Sequence, residues 1–222
     1  MSLTKISRLR SLVKQVRIRD ASNGGLTVLL EQRAQQLHEA IKLPIPAADL
    51  LADFVVRYVE QVPDFIEAIG DIARNADIYA QIEPLLNIAC NYFLSPPDLI
   101  RGQGQLELLL EEAYLAHRLL EEVNDRFIGF CGVPLAPMDM TRANIIAHEL
   151  IGEPFANELD QAVLFSAELL LSQYNFIGVN FQQYAHVRKH QGWSAELKRW
   201  PCLAHDIAIA VEFKEPIASM AH

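Results

Sequence analysis

The fold is decided by residues 106–128, which read LELLLEEAYLAHRLLEEVNDRFI. Leu, Glu, Ala and Arg dominate this stretch, and all four have high intrinsic helix propensity. At about 100° per residue, one set of apolar side chains falls on a single face: Ala113, Ala116, Leu120, Val123 and Phe127. The stretch therefore predicts a long amphipathic helix with a buried face.

The same helical period recurs on both sides of this stretch, interrupted by Gly, Pro and Asn. The pattern predicts helices at about 3–19, 27–42, 46–61, 63–75, 84–92, 106–128, 141–151, 154–173, 181–190 and 194–200. Residues 207–213 satisfy both a helical and a strand period, and either structure stays open for them. There is no alternation of strand and helix. We therefore predict an all-α fold, a multi-helix bundle of about eight to ten helices.

The clearest loop lies at residues 95–104, where Pro and Gly cluster. Its two flanks have the same composition, so we interpret it as a connection within a single helical domain covering 1–222. Residues 154–173 are apolar around most of the predicted helix. A helix of that kind is expected at the centre of a bundle.

Charge is distributed unevenly along the chain, whose net charge is −9. Residues 1–20 hold six Lys or Arg and one Asp, a net of +5, whereas the remainder holds 13 basic and 27 acidic side chains, a net of −14. An acidic body is a poor surface for nucleic acid, which requires a basic stripe. We expect the basic N-terminal helix (1–25) to dock on the acidic body, in the same chain or in a second copy.

No stretch of the sequence predicts a transmembrane segment, because the longest uncharged run, 169–187, contains several Ser, Asn and Gln. The three cysteines, Cys90, Cys131 and Cys202, are odd in number and far apart. That usage fits reduced, buried thiols in the cytoplasm better than a disulfide framework.

Several catalytic motifs are missing from the sequence. It contains no phosphate-binding loop, no nucleophile elbow, no Glu-x-x-His and no H-E-x-x-H. The sequence therefore leaves open whether the protein is an enzyme, and it identifies no cofactor.

One candidate site combines polar residues of two predicted helices. His117, Glu121 and Asn124 stack over two turns at the edge of the apolar face of 106–128. On 141–151 a similar row is formed by Thr141, Asn144 and His148. A carboxylate one turn from an imidazole can orient it and raise its pKa. We hypothesise that His117, Glu121, Asn124 and His148 line one buried pocket for a small ligand or a metal ion. The alternative is a polar contact between packed helices, with His117 satisfied by Glu121 or by a backbone carbonyl.

Two further clusters carry weaker predictions. Glu111, Glu122 and Asp125 fall opposite the apolar face, with Arg118 among them, and predict a solvated acidic surface. His186 and His190 have a spacing that can chelate zinc, but their cationic neighbours favour contact with an anion or another chain, so no metal site is predicted.

Three functions remain compatible with these features. The first is a cytoplasmic binding or assembly module without intrinsic catalysis, acting on a second copy of itself, as a homodimer, or on another protein. The second is an enzyme or sensor that uses His117, Glu121 and His148. The third is peripheral membrane association through the basic amphipathic helix.

Overall fold

A computed structural model describes residues 3–23, 25–43, 47–100, 105–172, 178–197 and 209–212. These residues form eight helices of ten residues or more, one single-turn helix and one pair of short strands, so the predicted all-α multi-helix bundle is confirmed. Their bounds are α1 (Leu3–Asn23), α2 (Gly25–Ala34), β1 (Ile41–Lys42), α3 (Ala47–Asn75), α4 (Tyr79–Leu94), α5 (Gln105–Cys131), α6 (Thr141–Ile151), α7 (Phe155–Ser172), α8 (Val179–Gln191), α9 (Ser194–Leu197) and β2 (Ala210–Val211). Cys202 lies outside the described residues.

The central helix of the described structure is α5. It packs against α1, α3, α4, α6, α7 and α8, and nearly all its side chains from Leu106 to Leu120 are buried. The expectation that α7 would occupy the centre is wrong. One face of α7 is buried, but Phe165 and Leu169 on the opposite face are 69% and 51% exposed. Apolar content alone therefore did not identify the central helix, because Leu and Phe also occur on the surface.

Helix α3 is continuous where the sequence predicted two helices separated at Pro63. Proline removes one backbone hydrogen bond, here the one that residue 63 would donate to the carbonyl of Val59. Burial of Val62, Phe65 and Ile66 on either side of Pro63 offsets this loss.

The second predicted helix ends eight residues earlier than expected, at Ala34. Ile41 and Lys42 instead form β1, which pairs antiparallel with β2 through Ile41–Val211 and Lys42–Ala210. This pairing also shows that the open segment 207–213 contains a strand at Ala210–Val211. Residues 207, 208 and 213 lie outside the described part of the chain.

The basic helix α1 packs against α3, α4 and α5 of the same chain. Its apolar face is buried through Ile6, Leu9 and Val13. Its cations meet acids of α3, where Arg10 pairs with Asp64 and Glu67 and Arg17 pairs with Glu60. Among the described residues no helix is long and apolar enough to cross a membrane.

Candidate functional site

A set of hydrogen-bonded polar side chains crosses the bundle where α5 meets α3, α6 and α7. We call it the polar seam, and it consists of Tyr58, Tyr114, Arg118, Glu121, Asn144, His148 and Asp160. Its buried members, Tyr58, Tyr114 and Asn144, lie among apolar contacts and therefore require partners within the protein.

One half of the polar seam links α3, α6 and α5. Tyr58 donates its hydroxyl proton to Asn144 Oδ1 at 2.7 Å, and Asn144 Nδ2 donates to Glu121 Oε2 at 2.7 Å. Thr141 Oγ1 lies 3.4 Å from the other oxygen, Glu121 Oε1. Burial is the main reason why the pKa of Tyr58 is well above its usual range, so its hydroxyl stays protonated and acts as a donor.

Arg118 joins the two halves of the polar seam. Its Nη1 donates to Glu121 Oε2 at 2.5 Å and its Nε donates to Asp160 Oδ1 at 3.0 Å. The three side chains are 14–25% exposed, so they are largely desolvated. Burial opposes the charge of Arg118, but the two carboxylates outweigh it and raise the pKa of Arg118 above its ordinary value. The guanidinium therefore bridges the two acids and holds them in place.

Asp160 forms the outer end of the polar seam. It accepts a hydrogen bond from Tyr114 Oη at 2.9 Å, and its second oxygen lies 3.7 Å from His148 Nε2. The same nitrogen of His148 lies 3.1 Å from Asn157 Oδ1 and donates to it in the matching tautomer. Burial, followed by the charge of Asp160, raises the pKa of Tyr114, which remains a neutral donor.

His117 lies in an aromatic part of the core next to the polar seam. Its Nε2 donates to the backbone carbonyl of Tyr58 at 2.8 Å, and Nδ1 has no hydrogen-bond partner. Its ring packs against the rings of Tyr58 and Phe65, at centroid distances of 4.4 and 5.4 Å. Complete burial lowers the pKa of His117 to about 4, so the imidazole is neutral at physiological pH. A backbone carbonyl therefore pairs with one of the two ring nitrogens of His117, as the second interpretation of the sequence allowed.

Asn124 has a role apart from the polar seam. Its Oδ1 accepts a hydrogen bond of 2.9 Å from the backbone N–H of Ala136, in the segment between α5 and α6. The amide therefore fixes the connection that positions α6 against α5. Of the four predicted site residues, Glu121 and His148 are linked through Arg118 and Asp160, whereas His117 and Asn124 have separate partners.

The sequence did not identify Tyr58, Arg118 or Asp160 as members of this cluster. It placed Arg118 on a solvated acidic face together with Glu111, and that interpretation is wrong for both residues. Arg118 is 22% exposed and Glu111 is 4% exposed. Arg118 faces Asp160 of α7, and Glu111 is buried inside the bundle. The period of α5 alone does not reveal either environment. A tyrosine and an aspartate on helices far apart in sequence carry no signal that would place them together.

The described residues contain no group of three or more His, Cys, Asp or Glu placed to hold a metal ion. His186 and His190 lie with their rings 4.3 Å apart, and His190 Nδ1 donates to the carbonyl of His186. That bond fixes the tautomer with the proton on Nδ1 and leaves Nε2 as the nitrogen of His190 that could act as a ligand.

Comparisons with protein-family models, with curated proteins and with solved structures found no match to this chain. The fold and the polar seam therefore define only a structural class: an all-α helical bundle whose polar seam is hydrogen-bonded internally.

Proposed function

We propose that the protein is a cytoplasmic helical assembly module without catalysis of its own, and that it functions as a homodimer. The observation that carries this proposal is the outer face of α7, where Phe165 and Leu169 lie one turn apart and expose most of their surface. Large apolar side chains exposed next to each other on a helix are typical of protein–protein contacts.

The exposed face of α7 is suited to contact an identical face. In a twofold symmetric contact the same residues meet from both sides. If two copies of α7 pair antiparallel about Phe165, Gln161 lies opposite Leu169 of the second copy and Glu158 lies opposite Ser172. This arrangement buries the apolar pair, which favours a second copy as the occupant.

The polar seam supports a role without catalysis. Arg118 bonds both of the carboxylates in the seam, and both tyrosine hydroxyls donate to acceptors within the protein. A general acid or base has to be within hydrogen-bond reach of a substrate, whereas these groups are engaged with one another. A network of this kind fixes which helices pack together and in which register.

Two further observations support a cytoplasmic location and favour assembly over membrane association. Neither Cys90 nor Cys131 forms a disulfide within the described part of the chain, which fits a reducing compartment. The apolar face of α1 is buried in its own chain through Leu9 and its neighbours, so insertion into a membrane surface would require undocking. Assembly through α7 needs no such rearrangement.

The proposal is tested by replacing Phe165 with arginine. We expect Phe165→Arg to halve the mass measured by light scattering at micromolar concentration, with unchanged far-UV circular dichroism, because a buried unpaired cation disrupts an apolar contact. Val28→Arg is the matched control, since Val28 is 59% exposed on α2 and its substitution should leave the mass unchanged. If both variants and the parent protein have the same mass, α7 is not the contact.

A further inference from the structure

A cleft of about 330 Å³ lies between the last turn of α5 and one face of α8. Phe181 and Ala185 are buried side chains of α8 and form its apolar floor. Phe130 forms one wall and is 61% exposed, whereas Gln182 and Lys189 lie at the rim. A volume of this size, with an apolar floor and polar groups at the rim, is within the range of sites for small molecules.

The charge of the cleft is opposite to that of the protein as a whole. The chain carries 28 acidic residues, but none of the described residues that line the cleft is acidic. Residues 179–191 of α8 likewise contain Arg188 and Lys189 and no acid. Lys189 is the only Lys, Arg, Asp or Glu among the described residues that line the cleft, so the cleft favours an anionic ligand.

The ammonium group of Lys189 lies against the backbone at the end of α5. A Cβ atom at Gly132 would lie 3.2 Å from Lys189 Nζ, and Gly132 has a φ of +70°, which a side chain would strain. Glycine thus lets the lysine approach the C-terminal end of α5, where the helix dipole attracts a cation.

From this geometry we infer that the cleft binds a small organic carboxylate with an apolar body. The carboxylate pairs with Lys189 Nζ, and the apolar body packs on Phe181 and Ala185 and against Phe130. Phe181 is itself supported from below by Phe127, whose ring centroid lies 5.6 Å away. The site is separate from the outer face of α7, so it does not depend on the proposed assembly.

Titration calorimetry with phenylpropanoate tests this inference. The full-length protein should bind phenylpropanoate, and it should bind the neutral phenylpropanamide and the cationic phenethylamine at least about tenfold more weakly, because a charge-assisted hydrogen bond contributes at least that factor. Equal affinities for the three compounds, or no heat of binding for phenylpropanoate at millimolar concentration, would overturn the inference.

Two pairs of variants locate the site. Lys189→Gln should weaken binding of phenylpropanoate by about tenfold, and Phe130→Ser should weaken it by removing the exposed wall. Lys14→Gln and Val28→Ser are matched controls at exposed positions on α1 and α2 and should leave the affinity unchanged. All four side chains are exposed, so none of the substitutions should unfold the chain. An affinity that is unaffected by Lys189→Gln contradicts the inference.

Discussion

Replacing Glu112 with glutamine should remove a loss of stability that the protein suffers as the pH rises toward 8. Glu112 is only 6% exposed, and its Oε2 atom has no hydrogen-bond partner. Burial, followed by the neighbouring charge of Glu111, raises the pKa of Glu112 to about 8 from an ordinary value of 4.5. Glu112 is therefore protonated in the folded protein at neutral pH and ionised in the unfolded chain.

The sign of the effect follows from proton linkage. Between pH 4.5 and about 8 the folded state binds the proton and the unfolded state releases it, so the free energy of unfolding falls as the pH rises. One proton corresponds to about 1.4 kcal/mol per pH unit. Over the window from pH 6.5 to 8 the loss attributable to Glu112 is therefore about 2 kcal/mol.

Urea denaturation followed by circular dichroism measures this loss. The free energy of unfolding is determined at several pH values from 6.5 to 8.5 for the parent protein, Glu112→Gln and the control Asp125→Asn, which changes an exposed carboxylate of the same helix. Glutamine introduces a buried amide whose cost is independent of pH, so the slope is the readout rather than the absolute stability. The reasoning is refuted if the parent protein and Glu112→Gln lose stability in parallel as the pH rises.

Three other perturbations test the packing described above. Arg118→Met should lower the free energy of unfolding by about 3 kcal/mol, because it leaves two mostly buried carboxylates without their shared cation. Chemical denaturation measures this loss, and it should be smaller for the control Arg126→Met, which breaks a single pair with Glu122. The pKa of His117 is about 4 in the folded protein and 6.5 for an ordinary histidine, so its neutral imidazole contributes stability that is complete above pH 6.5 and is lost as the pH falls toward 4. In acid titrations His117→Gln should lack this loss, and identical acid profiles for the variant and the parent protein would contradict it. Deleting residues 1–20 should lower the melting temperature by several degrees, because buried apolar side chains of α1 are removed; an unchanged melting temperature would show that α1 contributes no stability.

Much of the helical architecture could be predicted from local signals. The long helix at 106–128 was recognised from propensity and period, and the Gly/Pro segment after it correctly indicated its end near Cys131. The errors occurred where a contact distant in sequence decides the structure. Pro63 remains inside a helix because its neighbours are buried, and Ile41 forms a strand because residue 211 lies beside it.

Only part of the candidate site was predictable, because contacts distant in sequence decide which helix a side chain faces. Glu121 and Asn144 were placed on facing edges of neighbouring helices, and they do form a hydrogen bond. Helical period gives the direction of a side chain but not the identity of the helix that it faces. For that reason Arg118 was assigned to solvent, whereas α7 brings Asp160 to it.

Sedimentation equilibrium of the parent protein at micromolar concentration measures whether α7 joins two copies of the chain. We expect a mass twice the 25.0 kDa of one chain, from a dimer that dissociates on dilution according to mass action. A single species of 25.0 kDa across the whole concentration range would contradict it.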